Sequence, residues 1–361
     1  MRQRLVLMTA SAAIVTARLC AAGAAGADLH WSQLPPLPDA LGVAGAFAGV
    51  SGGALLVAGG ANFPEKMPWE GGKKVWHDTV YALDRTNGAW RVVGKLPRPL
   101  GYGVSLTTER GVLCIGGSDA EQHVEDVFLL TWSQGVLKTR TLSPLPAPLA
   151  NFCGALVGNT VYLAGGTASP DATNALKNFW ALDLEPHRAE WRELPPWPGP
   201  ARMLSVAAAA GNSFYLAGGA DLTPDAKGQP VRTYLKDAYR FTSDHGWQRI
   251  ADLPHPVVAA PTPAPVVDQT SFLLISGDDG SLANFEPKSE HPGFPKRILS
   301  YDTRRDAWSI LGETPAPRAT LPTVEWHGWT VMPSGETKPG VRSPEVWAVR
   351  AVDRGFSPTA K

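Results

Sequence analysis

Short apolar runs recur along the chain, and each one stops at a glycine or serine-glycine step. The runs are Ala54–Ala58, Val112–Ile115, Val161–Ala164, Phe214–Ala217, Phe272–Ile275 and Trp329–Met332. Bounded in this way, each reads as a β-strand. The punctuation is Gly59-Gly60, Gly116-Gly117, Gly165-Gly166 and Gly218-Gly219, decaying to Ser276-Gly277 and Ser334-Gly335. The second glycines are spaced by 57, 49, 53, 58 and 58 residues. After each pair comes an aromatic or apolar strand, often ending in Asp: Tyr81–Asp84, Val127–Leu130, Trp180–Asp183, Tyr239–Phe241, Tyr301-Asp302 and Val346–Val349. A tryptophan ahead of a Leu-Pro or Thr-Pro turn completes the unit at Trp90, Trp191, Trp247 and Trp308, with Leu137 standing in once. The sixth such tryptophan, Trp31 before Leu34-Pro35, lies near the other end of the chain.

That displacement predicts an all-β fold of six units in which an N-terminal strand completes the last one. Such closure ties the ends together and leaves no open sheet edge. Gly-Gly, Tyr-x-x-Asp and Trp at a period near 50 resemble the kelch repeat of β-propellers, over residues from about 31 to 350. The resemblance implies a six-bladed kelch-type propeller; it does not imply a function, because kelch propellers include binding modules and enzymes. In such blades the Gly pair ends the second strand, so every segment after a pair converges on one mouth of the central channel. These segments include Ala61–His77, Asp278–Arg297 and Glu336–Arg342.

Composition agrees. The 361 residues include 37 Gly, 33 Pro and 13 Trp, which suits many short strands joined by turns and disfavours helical bundles. Met1–Ala27 carries two early arginines, an apolar stretch and small residues before Asp28, the pattern of a secretory signal peptide. The expected mature chain, residues 28–361, is one propeller located in the periplasm or outside the cell. A lipid-anchor reading of Cys20 is disfavoured by Arg18 and Leu19 beside it. Without the leader the chain has 30 basic and 33 acidic residues, a formal charge of −3. That balance excludes a nucleic-acid or anionic-membrane partner, which requires a basic field. No later stretch is apolar enough for a membrane span. Cys114 and Cys153 sit in apolar strands and are expected as free buried thiols rather than a disulfide.

Candidate chemistry centres on Pro333–Arg342, where Glu336 and Arg342 stand six residues apart in a Gly/Pro loop. Asn62, Arg98, Tyr102, His291 and Lys338 are candidate ligands around the same mouth. No His/Cys spacing resembles a zinc site, so neither a metal nor a cofactor is expected. The Ser-x-Asp-x-Gly-x-x-Trp boxes of sialidases do not occur.

Four segments carry a more specific likeness: Val43–Gly49, Ala58–Pro64, Gly101–Ser105 and Gly335–Arg342. They resemble the N-acetylneuraminate epimerases, or sialic acid mutarotases, which are secreted six-bladed kelch propellers. The first three fall in the last two blades of the better-known members and in the first two here, so the chain resembles a cyclically permuted branch. The resemblance implies Glu336 as catalytic acid/base and Arg342 as substrate ligand, within Gly-Glu-x-Lys-Pro-Gly-x-Arg. Ser334, where the family often has Asn, departs from the pattern. The implied activity is interconversion of the α and β anomers of N-acetylneuraminate or a related acidic sugar. The competing reading is a secreted, non-catalytic propeller that binds a carbohydrate or protein. Oligomeric state is not set by the sequence.

Overall fold

The computed structural model describes residues 28–185 and 190–352. The leader assigned to residues 1–27, with Cys20, lies outside the described residues. Six four-stranded antiparallel sheets form the blades. Blade one runs Phe47–Ser51, Ala54–Ala58, Thr79–Leu83 and Arg91–Lys95 from the inside outward, and blades two to five repeat that order. Blade six takes its three inner strands from Val324–Trp326, Trp329–Pro333 and Val346–Val352. Its outer strand is Asp28–Leu34, paired antiparallel with Val346–Val352 from Asp28↔Val352 to Leu34↔Val346. The ring is closed as the displaced Trp31 requires.

Packing explains the continuous apolar runs. Successive side chains of a strand point to opposite faces, and in a propeller both faces of a blade meet neighbours. Leu56 and Ala58 join a buried cluster with Val112, Cys114 and Phe128 of blade two. Leu55 and Val57, from the same strand, join Val324, Val331 and Val346 of blade six. Four further clusters fill the remaining interfaces between blades. The core is thus a set of layers between blades. Cys114 and Cys153 lie free and buried within two of these layers. Burial pushes the Cys153 thiol up to about 12.

The tryptophan mark staples adjacent outer edges. Trp90 Nε1 donates to Pro35 O at 2.8 Å, Trp247 Nε1 to Pro195 O at 2.9 Å and Trp308 Nε1 to Ala251 O at 2.8 Å. A largely buried indole must satisfy its N–H, and the neighbouring blade's turn supplies the acceptor. The glycine mark acts nearer the axis. In every blade the second residue of the pair donates its amide to the next blade, from Gly60 to Leu100 O round to Gly335 to Val43 O, at 2.8–3.1 Å. The first residue has φ near +60°, and a Cβ on Gly59 would lie 2.3 Å from Leu100 O. In the decayed copies Ser276 and Ser334 hold the same φ, and their hydroxyls accept the amides of Arg318 at 3.0 Å and Val43 at 2.7 Å. A hydrogen bond across the blades there compensates for the left-handed backbone.

A second ring lies at the channel itself. The amide of Tyr102 donates to Gly45 O, Asn151 to Tyr102 O, Leu204 to Asn151 O, Ala259 to Leu204 O, Thr320 to Ala259 O and Gly45 to Thr320 O, all within 2.7–3.0 Å. All six residues have φ between 54° and 65° and line one cavity on the axis. Left-handed backbone is costly for non-glycine residues, above all for β-branched Thr320, and persists where surroundings impose it. This closed circuit fixes Tyr102 beside the mouth.

His123 is buried after blade two's Gly pair, with Nε2 3.0 Å from Thr167 Oγ1 of blade three. Burial pushes its pKa down to about 4, against the opposing pull of Asp119 and Asp171. An unfolded histidine titrates near 6.5, so as pH falls from there towards 4 the unfolded state takes the proton first and stability declines. Between pH 7 and pH 4 the wild type is expected to lose roughly 3 kcal/mol more than His123→Gln. Urea midpoints at the two pH values check this, and equal losses would refute it.

Candidate active site

The loop from Glu336 to Arg342 is a hairpin. Strand Glu336–Lys338 pairs with Val341–Arg342, and Glu336 stands directly opposite Arg342. Pro339 followed by Gly340 at φ 84° has the order of a type II turn. Six residues of sequence therefore become a cross-strand pair, with Arg342 Nη2 3.3 Å from Glu336 Oε1. The other carboxylate oxygen accepts the Gly340 amide at 3.3 Å. Ser334, wholly buried, anchors the base of the hairpin by donating to Val43 O or Ser343 O, 2.8 and 2.7 Å away.

Blade one's long loop walls one side. Arg342 Nε donates to Ala61 O at 3.2 Å and Nη2 to Tyr102 Oη at 3.3 Å, and the guanidinium carbon lies 4.7 Å from the Phe63 ring centre. A Cβ on Gly340 would meet Pro68 at 2.8 Å, so only glycine lets the hairpin tip approach the loop so closely. The Arg342 side chain is 3% exposed and Glu336 15%. Arg342 Nη1 is buried without a partner in the protein. Trp76 stands edge-on to Tyr102 at 6.4 Å, and Lys74 Nζ lies over the Tyr102, Trp76 and Phe63 rings.

Blade five's insertion supports the opposite side. Lys338 Nζ donates to Ser289 O at 2.7 Å, and the Phe294 amide to Thr337 O at 3.3 Å. His291 is buried within that insertion, its Nδ1 accepting the Gly293 amide at 3.1 Å, and burial lowers its pKa. A neutral, tethered imidazole there shapes the loop.

Glu336, Arg342 and Tyr102 are therefore brought together, while other expected ligands are directed elsewhere. Asn62 is buried with its amide nitrogen 2.9 Å from Gly42 O and its oxygen 2.9 Å from His77 Nε2, so both ends of the amide have protein partners. Arg98 pairs with Asp119 and Asp126 of blade two, each at 3.3 Å, which compensates its charge. Lys338 and His291 brace loops through the contacts above. Phe63 and Lys74 also border this wall; they lie in the segment Ala61–His77, and nothing in a single sequence marks which of its residues face the hairpin. Among the described residues no group of three or more His, Cys, Asp or Glu is arranged to hold a metal ion, nor is any helix long and apolar enough to cross a membrane.

A facing carboxylate and guanidinium, largely shielded from water and walled by aromatic rings, can accept and return a proton beside a bound anion. Comparison with known proteins places the chain in a family. A family model described as N-acetylneuraminate epimerase matches residues 11–139 and 143–284, more than half of the chain; Glu336 and Arg342 lie beyond the matched residues. The N-acetylneuraminate epimerase of Brucella suis is 44% identical over 119 residues, 28% of this chain and 30% of that protein. That of Salmonella enteritidis is 45% identical over 119 residues, 29% and 30% of the two chains. The matched stretch thus spans under a third of these relatives' length. A solved structure described as that of YjhT superimposes with a TM-score of 0.65 at 15% identity, over 89% of this chain and 98% of the other, which shows the shared fold.

Proposed function

Because this chain belongs to the N-acetylneuraminate epimerase family, we propose that it interconverts the α and β anomers of N-acetylneuraminate, or a closely related acidic sugar. The observation that carries the reading is Glu336 facing Arg342 at 3.3 Å at the walled mouth of the propeller. In the proposed reaction the Glu336 carboxylate takes the proton from the anomeric hydroxyl. The bond from the anomeric carbon to the ring oxygen breaks, that oxygen gains a proton, and the hydroxyl becomes a carbonyl. The carbonyl then presents its other face, and the same steps in reverse close the ring. Arg342 orients the substrate; its Nη1 is the donor left for a ligand. Tyr102 Oη accepts from Arg342 and keeps its own proton for donation.

Positioned acid/base catalysis contributes roughly 10²–10⁴-fold, which suits a reaction that also runs slowly unaided. The leader pattern of residues 1–27 supports a periplasmic or secreted location for the propeller that follows. A cyclically permuted blade order is supported by the short reach of the strong identity, since a linear alignment cannot run through a permutation point.

Proton NMR of freshly dissolved N-acetylneuraminate tests the activity. The protein is expected to speed the approach to anomeric equilibrium. An unchanged rate would overturn the reading, and line broadening without acceleration would leave a sugar-binding propeller in its place.

A further inference from the structure

Lys74 stands out among the cations near the mouth. Arg342 is paired with Glu336, and Arg98 with two aspartates. Lys74 is half-buried and has neither an ion pair nor a hydrogen bond among the described residues, only aromatic faces: Tyr102 at 4.7 Å, Trp76 at 5.3 Å and Phe63 at 5.9 Å from Nζ. Its placement follows from the two-stranded ribbon in which Ala61 pairs with Trp76 and Asn62 with Val75. Strand alternation turns Lys74 and Trp76 to the same side. Rings stabilise an ammonium through their negative faces, yet they supply no carboxylate.

Two further donors belong to side chains that meet the same rings, Trp76 being one of the three and Arg342 lying over Phe63. Trp76 Nε1 and Arg342 Nη1 are both buried without a partner in the protein. Buried donors are nearly always satisfied, so two unsatisfied N–H groups beside an unpaired ammonium form a site rich in donors and poor in acceptors. Its complement is an anion. The charge count agrees, because Glu336 and Arg342 cancel and Lys74 leaves one positive charge. We infer that Lys74, with Trp76 Nε1 and Arg342 Nη1, forms the seat for the substrate's carboxylate and so sets the preference for acidic over neutral sugars. Arg342, held by Glu336, Tyr102 and Ala61, contributes its one remaining edge. Lys74 provides the charge.

This inference rests on the acidic-sugar reading for the identity of the anion. Calorimetry on the intact protein with N-acetylneuraminate and with its uncharged methyl ester tests it. Lys74→Met keeps the stem against the rings and removes the charge. It is expected to raise the Kd for the acid roughly 10- to 100-fold and to leave the ester's affinity unchanged, while Lys74→Arg retains most of the affinity for the acid. Equal weakening for acid and ester would show general damage to the box and overturn the inference, as would an unaltered Kd for the acid. Wild-type protein that binds the acid without speeding anomer exchange would overturn the mutarotase reading and leave the seat standing. Exchange that is fast in both wild type and Lys74→Met at low substrate concentration would overturn the seat alone.

Discussion

Glu336→Gln is expected to lower the protein-dependent rate of anomer exchange by roughly 10²–10⁴-fold, with the propeller still folded. The substitution keeps the shape of the side chain. Its amide oxygen can still accept from the Gly340 N–H or from Arg342, the two groups that touch the carboxylate now. What is lost is a group that takes up and returns a proton. Arg342 remains anchored by Ala61 O and Tyr102 Oη, so the pocket wall should persist. Rates come from NMR line intensities after dissolution, and a thermal melt monitors folding. Full activity in this variant would move proton transfer to another residue, such as Tyr102, whose hydroxyl accepts from Arg342.

Asp237→Ala should destabilise the fold by about 3–5 kcal/mol, the usual cost of stripping one partner from a buried ion pair. Arg202 is fully buried, with Nη2 2.6 Å from Asp237 Oδ2 and Nη1 2.9 Å from Gly218 O. Tyr239 donates to the same carboxylate oxygen at 2.6 Å, and burial together with Asp237 pushes the phenol's pKa up to about 12. Removing the carboxylate leaves a guanidinium at zero exposure facing Gly218, while Arg202's own carbonyl holds the Gly166 amide of blade three. The damage therefore falls on the seam between blades three and four. A fall of roughly 5 °C in melting temperature is expected, with Asp237→Asn milder because it keeps an acceptor. A melt within a degree of wild type for Asp237→Ala would show that the pair contributes nothing. Replacing both partners by apolar residues is a different experiment and is often close to neutral.

Both outcomes bear on how far the residues speak for themselves. The glycine pairs, tryptophans and aromatic strands could be aligned because each performs the same physical task in nearly every blade. Gly60 and Gly335 hand their amides to the next blade in the same way, and Trp90, Trp247 and Trp308 each seek a carbonyl on the neighbouring turn. Repetition makes such a signal readable. The pair of Glu336 and Arg342 was readable for a local reason, since Pro339-Gly340 folds the segment back and sets the two opposite each other.

Polar side chains without a repeat or a local turn were not readable in this way. Asn62 and Arg98 have the composition of ligands, yet Gly42 and His77 take the first, and Asp119 and Asp126 the second. Lys74 looks like one more surface lysine until Tyr102, from the approach to blade two, is brought against it. The sequence by itself determined six blades, their closure by the Trp31 strand and a carboxylate six residues from a guanidinium in the loop after the sixth blade's second strand; the hairpin that sets the two opposite each other belongs to the structure. The tertiary structure alone decided which charges near that mouth are compensated and which remain open to a ligand. Whether a buried donor finds an acceptor depends on neighbours from other blades, and no spacing along the chain encodes them.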